Sequence, residues 1–156
     1  MDKERRIIRR AIARHSFCTL ATSSAANRPL VTGVLYSFVD QRVYISSLST
    51  SVKVRNIREN PRVALCIPVR RYPIGPPSTV QFQGLAEVLA VDEPEVTGLV
   101  ASKRLKRITS HGELEHPEAC MLRVNPGPTV ATYGLDVGLR ELLRDPLAAN
   151  RSVRLG

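Results

Sequence analysis

The sequence predicts a mainly β protein, an antiparallel β-barrel of six or seven strands with helices at its periphery. Apolar and polar residues alternate with the period of a strand over several segments, and these follow one another as hairpins before any crossover helix appears. The longest segment, 79–91, carries Gly84 near its middle, where a bulge or bend lets a sheet curl towards closure. The early hairpins disfavour a doubly wound parallel sheet, in which helices separate successive strands.

The first third of the chain supplies a helix and three strands. Apolar residues recur at helical spacing from Asp2 to Arg14 among several arginines, which predicts an amphipathic helix. The period then changes to two, and polar turns separate the apolar segments. The predicted strands are 17–22, 29–39 and 42–47. Together they form a meander.

A hydroxyl-rich turn and a short basic helix come next. Residues 47–51 supply hydroxyl groups and exposed amides, and Lys53, Arg55 and Arg58 lie on a helix that Asn60-Pro61 ends. Backbone N–H groups and the helix dipole favour an anion at a helix N-terminus. The segment predicts a phosphate site, although an ordinary N-cap followed by a solvated basic face gives the same pattern.

The second half of the chain alternates between the two element types. Strands are predicted over 62–69, 79–91, 120–125 and 129–133, with a stiff loop at 70–77 and the break Pro126-Gly127-Pro128. Helices are predicted from Asp92 to about Ile108, with a basic end, and over 134–150, broken at Pro146. The expected organisation is a single domain over 1–156, made of an N-terminal helix (1–14), a barrel (16–133) and a C-terminal helix with a polar tail (134–156).

Composition narrows the function classes. The net charge of +9 points to an anionic partner, but the chain has no Trp and only 4% aromatic residues, which disfavours the stacking platforms of a nucleic-acid site. No apolar run reaches the length of a membrane span, and the charged N-terminus does not resemble a secretory signal, so a cytoplasmic protein is expected. The three cysteines and three histidines show no metal-ligand spacing, and no metal is expected.

Four motifs in fixed order resemble the pyridoxamine 5'-phosphate oxidase-like split-barrel family of flavin and deazaflavin binders. They are Arg-Pro-Leu-Val-Thr-Gly-Val at 28–34, Val-Tyr-Ile-Ser at 43–46, Ser-Val-Lys at 51–53 and Ile-Arg-Glu-Asn-Pro-Arg-Val-Ala-Leu at 57–65. The resemblance covers about residues 7–133 and implies a split β-barrel of the FMN-binding type. The Asn-Pro-Arg-Val segment is its most specific part.

The resemblance also implies a cofactor site. In the family the second strand lines the flavin ring, and its hairpin partner with the following turn holds the ribityl chain and phosphate. The ring-lining residues would be Thr32, Gly33 and Val34, and the others would be Ser46, Ser47, Ser51, Lys53 and Asn56. The motifs identify no general acid or base, so the catalytic residues are left unassigned.

Two departures from the family pattern restrict the activity. The vitamin oxidases pair an arginine with the phosphate-binding lysine, whereas this chain has Val52. They also end in a segment containing Trp and Arg that binds pyridoxal phosphate, and this chain contains no Trp. Both differences argue against conversion of pyridoxamine phosphate.

Arginine-rich sequences of this type resemble actinobacterial members, several of which use the deazaflavin coenzyme F-420 instead of FMN. The resemblance implies either cofactor in an oxidoreductase that transfers hydride to or from a small organic substrate. It also implies a homodimer with cofactor sites between the subunits. Contacts to a polyglutamate tail or to substrate are expected at Arg55, Arg58, Arg70 and Arg71. A non-catalytic binder of the same fold and a nucleic-acid-binding barrel are the alternatives.

Overall fold

The computed structural model describes residues 2–75 and 77–155, which form a curled antiparallel sheet with helices around it. In chain order the elements are α1 (Asp2–Arg14), β1 (Phe17–Ser23), β2 (Pro29–Leu35), β3 (Ser37–Val39), β4 (Arg42–Leu48), α2 (Val52–Glu59), β5 (Arg62–Val69), β6 (Ser78–Ala90), α3 (Pro94–Ala101), α4 (Lys106–Thr109), β7 (Ala119–Tyr133), α5 (Leu139–Arg144), a 3-10 helix (Pro146–Ala149) and β8 (Asn150–Arg154). No helix among these residues is long and apolar enough to cross a membrane.

The sheet order explains the barrel. Seven strands run in the order β2-β1-β5-β6-β7-β4-β3, and β8 pairs with β7. The two outermost strands, β2 and β3, are consecutive in sequence and separated only by Tyr36, so the sheet curls until its ends meet there. The split-barrel fold class predicted from the sequence is confirmed: seven strands form the curled path of the sheet, and within the described residues β8 is added beside β7.

The expected bend lies at Gly84. The register of β6 against β7 shifts between Phe82 and Gly84. A side-chain carbon at Gly84 would lie 2.5 Å from the backbone oxygen of Asn125, closer than any real contact. Only glycine fits this approach of the two strands.

The middle strand of the predicted meander is interrupted. Residues 29–39 do not form one strand, because the chain turns inward at Tyr36, which is fully buried and donates a hydrogen bond from its hydroxyl to the Ile12 carbonyl at 2.6 Å. The first part, β2, pairs with β1, and the second part, β3, pairs with β4. Both hairpins of the meander are therefore present, joined by a bent connection.

Three further expectations are wrong. The helix predicted from Asp92 to about Ile108 is two helices, because Lys103 takes a left-handed conformation (φ 59°) after α3. The segment 126–128 does not separate two strands, since it forms a bulge of the single strand β7 opposite Gly84. The polar tail forms β8, which pairs with residues 129–133 of β7, the part that β4 leaves uncovered.

Two main apolar clusters fill the molecule, and a third, of Val137, Leu142 and Ala149, lies under the C-terminal helices. The larger occupies the barrel interior and includes Ile8 and Ile12 of α1, which packs across it. The smaller lies outside the sheet, where α3, α4 and the loop between them cover β4 and β7, and it contains Val96, Leu105 and Ile108. One face of β4 therefore lies in the barrel interior, and the other face is covered by helices.

Candidate functional site

The hydroxyl-rich turn forms where β4 ends and α2 begins. The Oγ atoms of Ser47 and Ser51 lie 3.3 Å apart, and the Ser51 amide donates to the Leu48 carbonyl at 3.0 Å. Ser51 is the N-cap of α2, but its side chain makes no capping hydrogen bond. Its hydroxyl therefore faces Ser47 instead of completing the helix, which removes the simplest structural explanation for the serines.

Two cations lie beside these hydroxyls. Arg58 donates from Nη1 to the Ser49 carbonyl at 3.4 Å, which brings the last turn of α2 against the serine turn. Burial raises the pKa of the Cys120 thiol, and the positive charges of Arg58 and Lys53 oppose that rise, so both cations lie near this cysteine. Cys120 is the cross-strand partner of Ser47. Arg58 thus contacts the serine turn directly, and Lys53 lies in the first turn of α2, two residues after Ser51.

Glu118, the residue before β7, accepts two hydrogen bonds from the serine turn. Its carbonyl accepts from the Ser49 amide at 2.8 Å, and its carboxylate accepts from the Thr50 hydroxyl at 3.1 Å. Among residues 2–75 and 77–155, Lys53 takes part in no ion pair with this or another carboxylate. Within these residues no carboxylate neutralises the lysine charge.

Ser46 lies on the opposite face of β4 from Ser47. Ser46 pairs with Met121, which belongs to the helix-covered cluster, whereas Ser47 pairs with Cys120 of the barrel core. Because side chains alternate along a strand, the Ser46 side chain does not join the hydroxyl pair.

Asn56 is 4% exposed and donates from Nδ2 to the Thr22 hydroxyl at 3.0 Å. This bond joins α2 to β1 in the interior. Its expected cofactor contact stays a prediction, as does that of Ser46.

The expected ring-lining residues lie on the edge strand β2. The Thr32 hydroxyl donates to the Leu20 carbonyl at 3.5 Å, and Val34 packs against the barrel core. Gly33 is exposed, and a side chain there would meet the ring of Phe17 at 3.0 Å. β2 pairs with β1 and not with β4, so hydrogen bonding does not join this triplet to the serine turn.

The arginines expected to contact a tail or substrate divide into three kinds. Arg58 belongs to the serine turn, and Arg55 and Arg70 are exposed. Arg71 donates to the carbonyls of Gly134 and Val137 at 2.7 and 3.1 Å, so it fastens the loop after β5 to the C-terminal region.

The outward face of β1, β2, β5 and β6 exposes several large apolar side chains, alongside Arg62, Gln81 and Gln83, and no helix of the described residues covers it. Phe17 is 47% exposed, Val31 65%, and Leu35 and Leu85 54% each. Between them run two adjoining grooves of about 660 and 430 Å³, whose shared lining residues are Ala21, Ala64, Gln83 and Thr129. Side chains on this face lack the covering layer that α3 and α4 give to the other half of the sheet.

The sequence matches the family model for pyridoxamine 5'-phosphate oxidase over residues 6–127. This chain belongs to that family. The match spans the serine turn, α2 and the bent strand β6. No curated protein matches the sequence significantly.

Three solved structures with the same fold have different described roles. The heme storage protein HutZ from Vibrio cholerae is 17% identical, with 86% of this chain and 95% of that chain covered and a TM-score of 0.69. A heme binding protein from Mycobacterium smegmatis is 15% identical, with 97% and 57% covered and a TM-score of 0.75. An F-420 reductase is 20% identical, with 76% and 91% covered and a TM-score of 0.54. At these identities the likeness shows the fold alone.

Sequence reasoning missed two features of the site region. Arg58 was expected at a cofactor tail or substrate, and only the return of α2 over Ser49 brings it to the serine turn. The apolar outer face was not identified as a continuous surface. The sequences of β1 and β5 do indicate this surface, because Phe17, Ala21 and Ala64 are apolar although they occupy outward positions of their strands.

Proposed function

We propose that this protein is a flavin- or deazaflavin-dependent oxidoreductase that holds the phosphate of its cofactor between Ser47, Ser51, Lys53 and Arg58. The observation that carries the proposal is the hydroxyl pair of Ser47 and Ser51 in a turn that Arg58 contacts at Ser49, with Lys53 at the start of the helix that follows. Family membership and the F-420 reductase of the same fold support the cofactor class.

The donor set fits a phosphate. Hydroxyl groups and cationic side chains are the groups that bind phosphate oxygens in proteins, and a hydrogen bond to a charged group contributes about 1.5 to 3 kcal/mol. Val52 removes the arginine that the vitamin oxidases have beside the lysine. Arg58, one helical turn and a half further along α2, would supply the second positive charge.

We also propose that the protein acts as a homodimer through the outward face of β1, β2, β5 and β6. Phe17, Val31 and Leu35 expose large apolar areas, and burying each in a partner would contribute about 1.5 to 3 kcal/mol. Thr32, Gly33 and Val34 lie on the same edge strand as Val31. A second subunit on this face would thus place its own residues beside the expected ring-lining triplet.

The chemistry would come from the cofactor, which when bound exchanges a hydride with a small organic substrate. The chain would bind the phosphate through Lys53 and Arg58, orient the ring along β2 and exclude water at the dimer face. The neighbouring thiol, Cys120, is buried with a raised pKa and is unsuited to proton transfer at neutral pH. We therefore assign no general acid or base.

Cofactor titration of matched variants on one helix tests the proposal. We expect Lys53→Ala and Arg58→Ala each to weaken binding of FMN or F-420 by about tenfold or more, since each removes a charge-assisted contact of about 1.5 to 3 kcal/mol. Arg55→Ala removes the same charge from an exposed position on α2 and serves as the control. Equal affinities for all three variants would overturn the phosphate assignment.

The choice of cofactor can be read from the same titrations. The polyglutamate tail of F-420 suits a chain of net charge +9, so we expect F-420 to bind more tightly than FMN and with a steeper salt dependence. Equal or reversed affinities at low and high salt would contradict this. Turnover with reduced cofactor then distinguishes an enzyme from a binder.

A non-catalytic binding protein is the second candidate. It is favoured by two heme proteins of the same fold. Titration with hemin and with FMN separates the two: saturable hemin binding without flavin binding would replace the oxidoreductase proposal.

A further inference from the structure

A second basic region lies between the end of α3 and the first residues of α4. The sequence Lys103-Arg104-Leu105-Lys106-Arg107 was expected to end a long helix, where its charges would favour the helix dipole. In the structure residues 103–105 instead lie in the link between α3 and α4, Lys106 and Arg107 begin α4, and Leu105 is buried. The four cations border a groove of about 570 Å³, whose other walls include Ser37 and Phe38 of β3.

Two of the four arginine and lysine side chains are fixed in place by the protein. Arg107 donates from Nη1 to the carbonyls of Ala13 and His15, both at 3.0 Å, which caps the end of α1. Its remaining N–H groups are not used by these bonds. Arg104 makes two hydrogen bonds to Asp40, at 2.9 and 2.7 Å, and so carries its own counter-charge.

The two lysines carry charge that no carboxylate in the described ranges offsets. Lys103 and Lys106 are exposed and take part in none of the ion pairs there. Lys103 occupies the left-handed position of a Schellman motif, in which its amide and that of Arg104 donate to Val100 and Leu99 at 3.0 Å. Glycine is the usual residue there, because a side chain strains this conformation. A lysine at this place brings a charge to the groove.

Ser37 adds an independent observation. The residue is 3% exposed, and its Oγ has no hydrogen-bond partner among the described residues. An unpaired buried hydroxyl costs about 1 to 3 kcal/mol, and such groups are rare in folded proteins. Ser37 lines the groove, so an anion oxygen bound there would supply the missing acceptor.

We propose that this groove is a second anion site, built for the phosphate group of a small phosphorylated molecule. Lys103, Lys106 and Arg107 would supply the charge, and Ser37 a neutral donor at its base. The volume is in the range of small-molecule sites, roughly 300 to 1,000 Å³. The groove shares no lining residue with the serine turn, so it does not depend on the proposed cofactor function.

Titration of the full-length protein with sodium pyrophosphate, followed by amide NMR shifts, tests the site. We expect saturable shifts at Ser37, Phe38 and residues 103–110, in wild type and in Lys53→Ala alike. The double variant Lys103→Gly/Lys106→Ala should weaken this binding at least tenfold without loss of thermal stability, since glycine suits the position of Lys103. Lys3→Ala/Arg6→Ala removes the same charge from exposed positions of α1 and should bind as wild type.

The Ser37→Ala variant distinguishes a binding role from a packing role. Removing an unpaired buried hydroxyl should leave the unfolding temperature unchanged or raise it, while pyrophosphate binding weakens about threefold or more. If the two double variants, Lys103→Gly/Lys106→Ala and Lys3→Ala/Arg6→Ala, weaken pyrophosphate binding equally, the effect follows from net charge alone. That result would overturn the proposal. So would binding of a short oligonucleotide through these residues while pyrophosphate produces no saturable shift.

Discussion

The two halves of the sheet differ in whether helices of the chain cover their outward faces. The outward face of β4, β7 and the end of β6 is covered by α3 and α4, with Val96, Leu105 and Ile108 buried there. The outward face of β1, β2 and β5 has no such layer, and Phe17, Val31 and Leu35 are exposed. The chain covers one face with its own helices. The other face exposes large apolar side chains, which are typical of interaction surfaces.

Polar contacts follow the same division. On the covered face Glu95 accepts from the Tyr44 hydroxyl at 2.6 Å and from Arg42 at 3.2 Å, and it also pairs with Arg123. Arg123 is 19% exposed and pairs with Glu87 as well. The uncovered face has no comparable network within the described residues. Polar side-chain contacts within the chain thus stabilise the covered face and have no counterpart on the uncovered face of the described residues.

The largest effect is expected from a charge on the uncovered face. Val31→Glu should weaken the proposed homodimer by at least about 100-fold, because each buried valine contributes roughly 1.5 to 3 kcal/mol and a buried unpaired carboxylate costs more. Val31 is 65% exposed in the single chain, so the fold should tolerate the change. Sedimentation equilibrium over a range of concentrations measures it.

The control lies on the covered side. Val100→Glu introduces the same charge on α3, at a position that is 38% exposed, and should leave the oligomeric state as in wild type. A wild type that sediments as a monomer, or equal behaviour of both variants, would contradict the assignment of the interface.

An intermediate effect is expected from the polar network. Glu95→Ala should lower the free energy of unfolding by about 2 kcal/mol, because it leaves Arg123 and Tyr44 without their partly buried acceptor. Glu87→Ala should cost less than about 1 kcal/mol, since Glu87 is 52% exposed. Urea denaturation of both variants gives the comparison, and equal losses would show that Glu95 is not the centre of the network.

The smallest effect is expected at Cys66, which lies in a groove of the uncovered face. A homodimer should slow its alkylation about tenfold relative to the monomeric Val31→Glu variant. Burial raises the pKa of Cys66, so the thiolate fraction is small at neutral pH and the rate should still rise with pH above the ordinary thiol value of about 8.5. Thiol labelling followed by mass spectrometry measures this rate.

Cys18 provides an internal reference in the same experiment. It is fully buried, and burial raises its pKa to about 12, so it should not react in either protein. Equal labelling of Cys66 in wild type and variant, with Cys18 protected, would mean that this face is not covered in solution.

Local patterns predicted most of the elements. The alternation in β1, β5 and β6 and the stop at Asn60-Pro61 correspond to observed boundaries within one residue. Errors arose where a contact distant in sequence decides the conformation. Pro126 and Pro128 were expected to break the strand, yet they fit a bulge opposite Gly84. Residues 150–154, expected to be a polar tail, form a strand because the edge of β7 is free to pair with them.

The barrel, the basic helix after a hydroxyl turn and the family membership could be predicted from the amino-acid order, because hydrophobic period, turn residues and motif order are local properties of the chain. Which charges share a site depends on the folded structure. It brought Arg58 to Ser49, set Ser46 on the opposite face of its strand from Ser47, and placed Lys103 and Lys106 around Ser37. Charges that are close in sequence can be separated by a helix end or a strand face, and strand pairing and helix packing settle where each one lies.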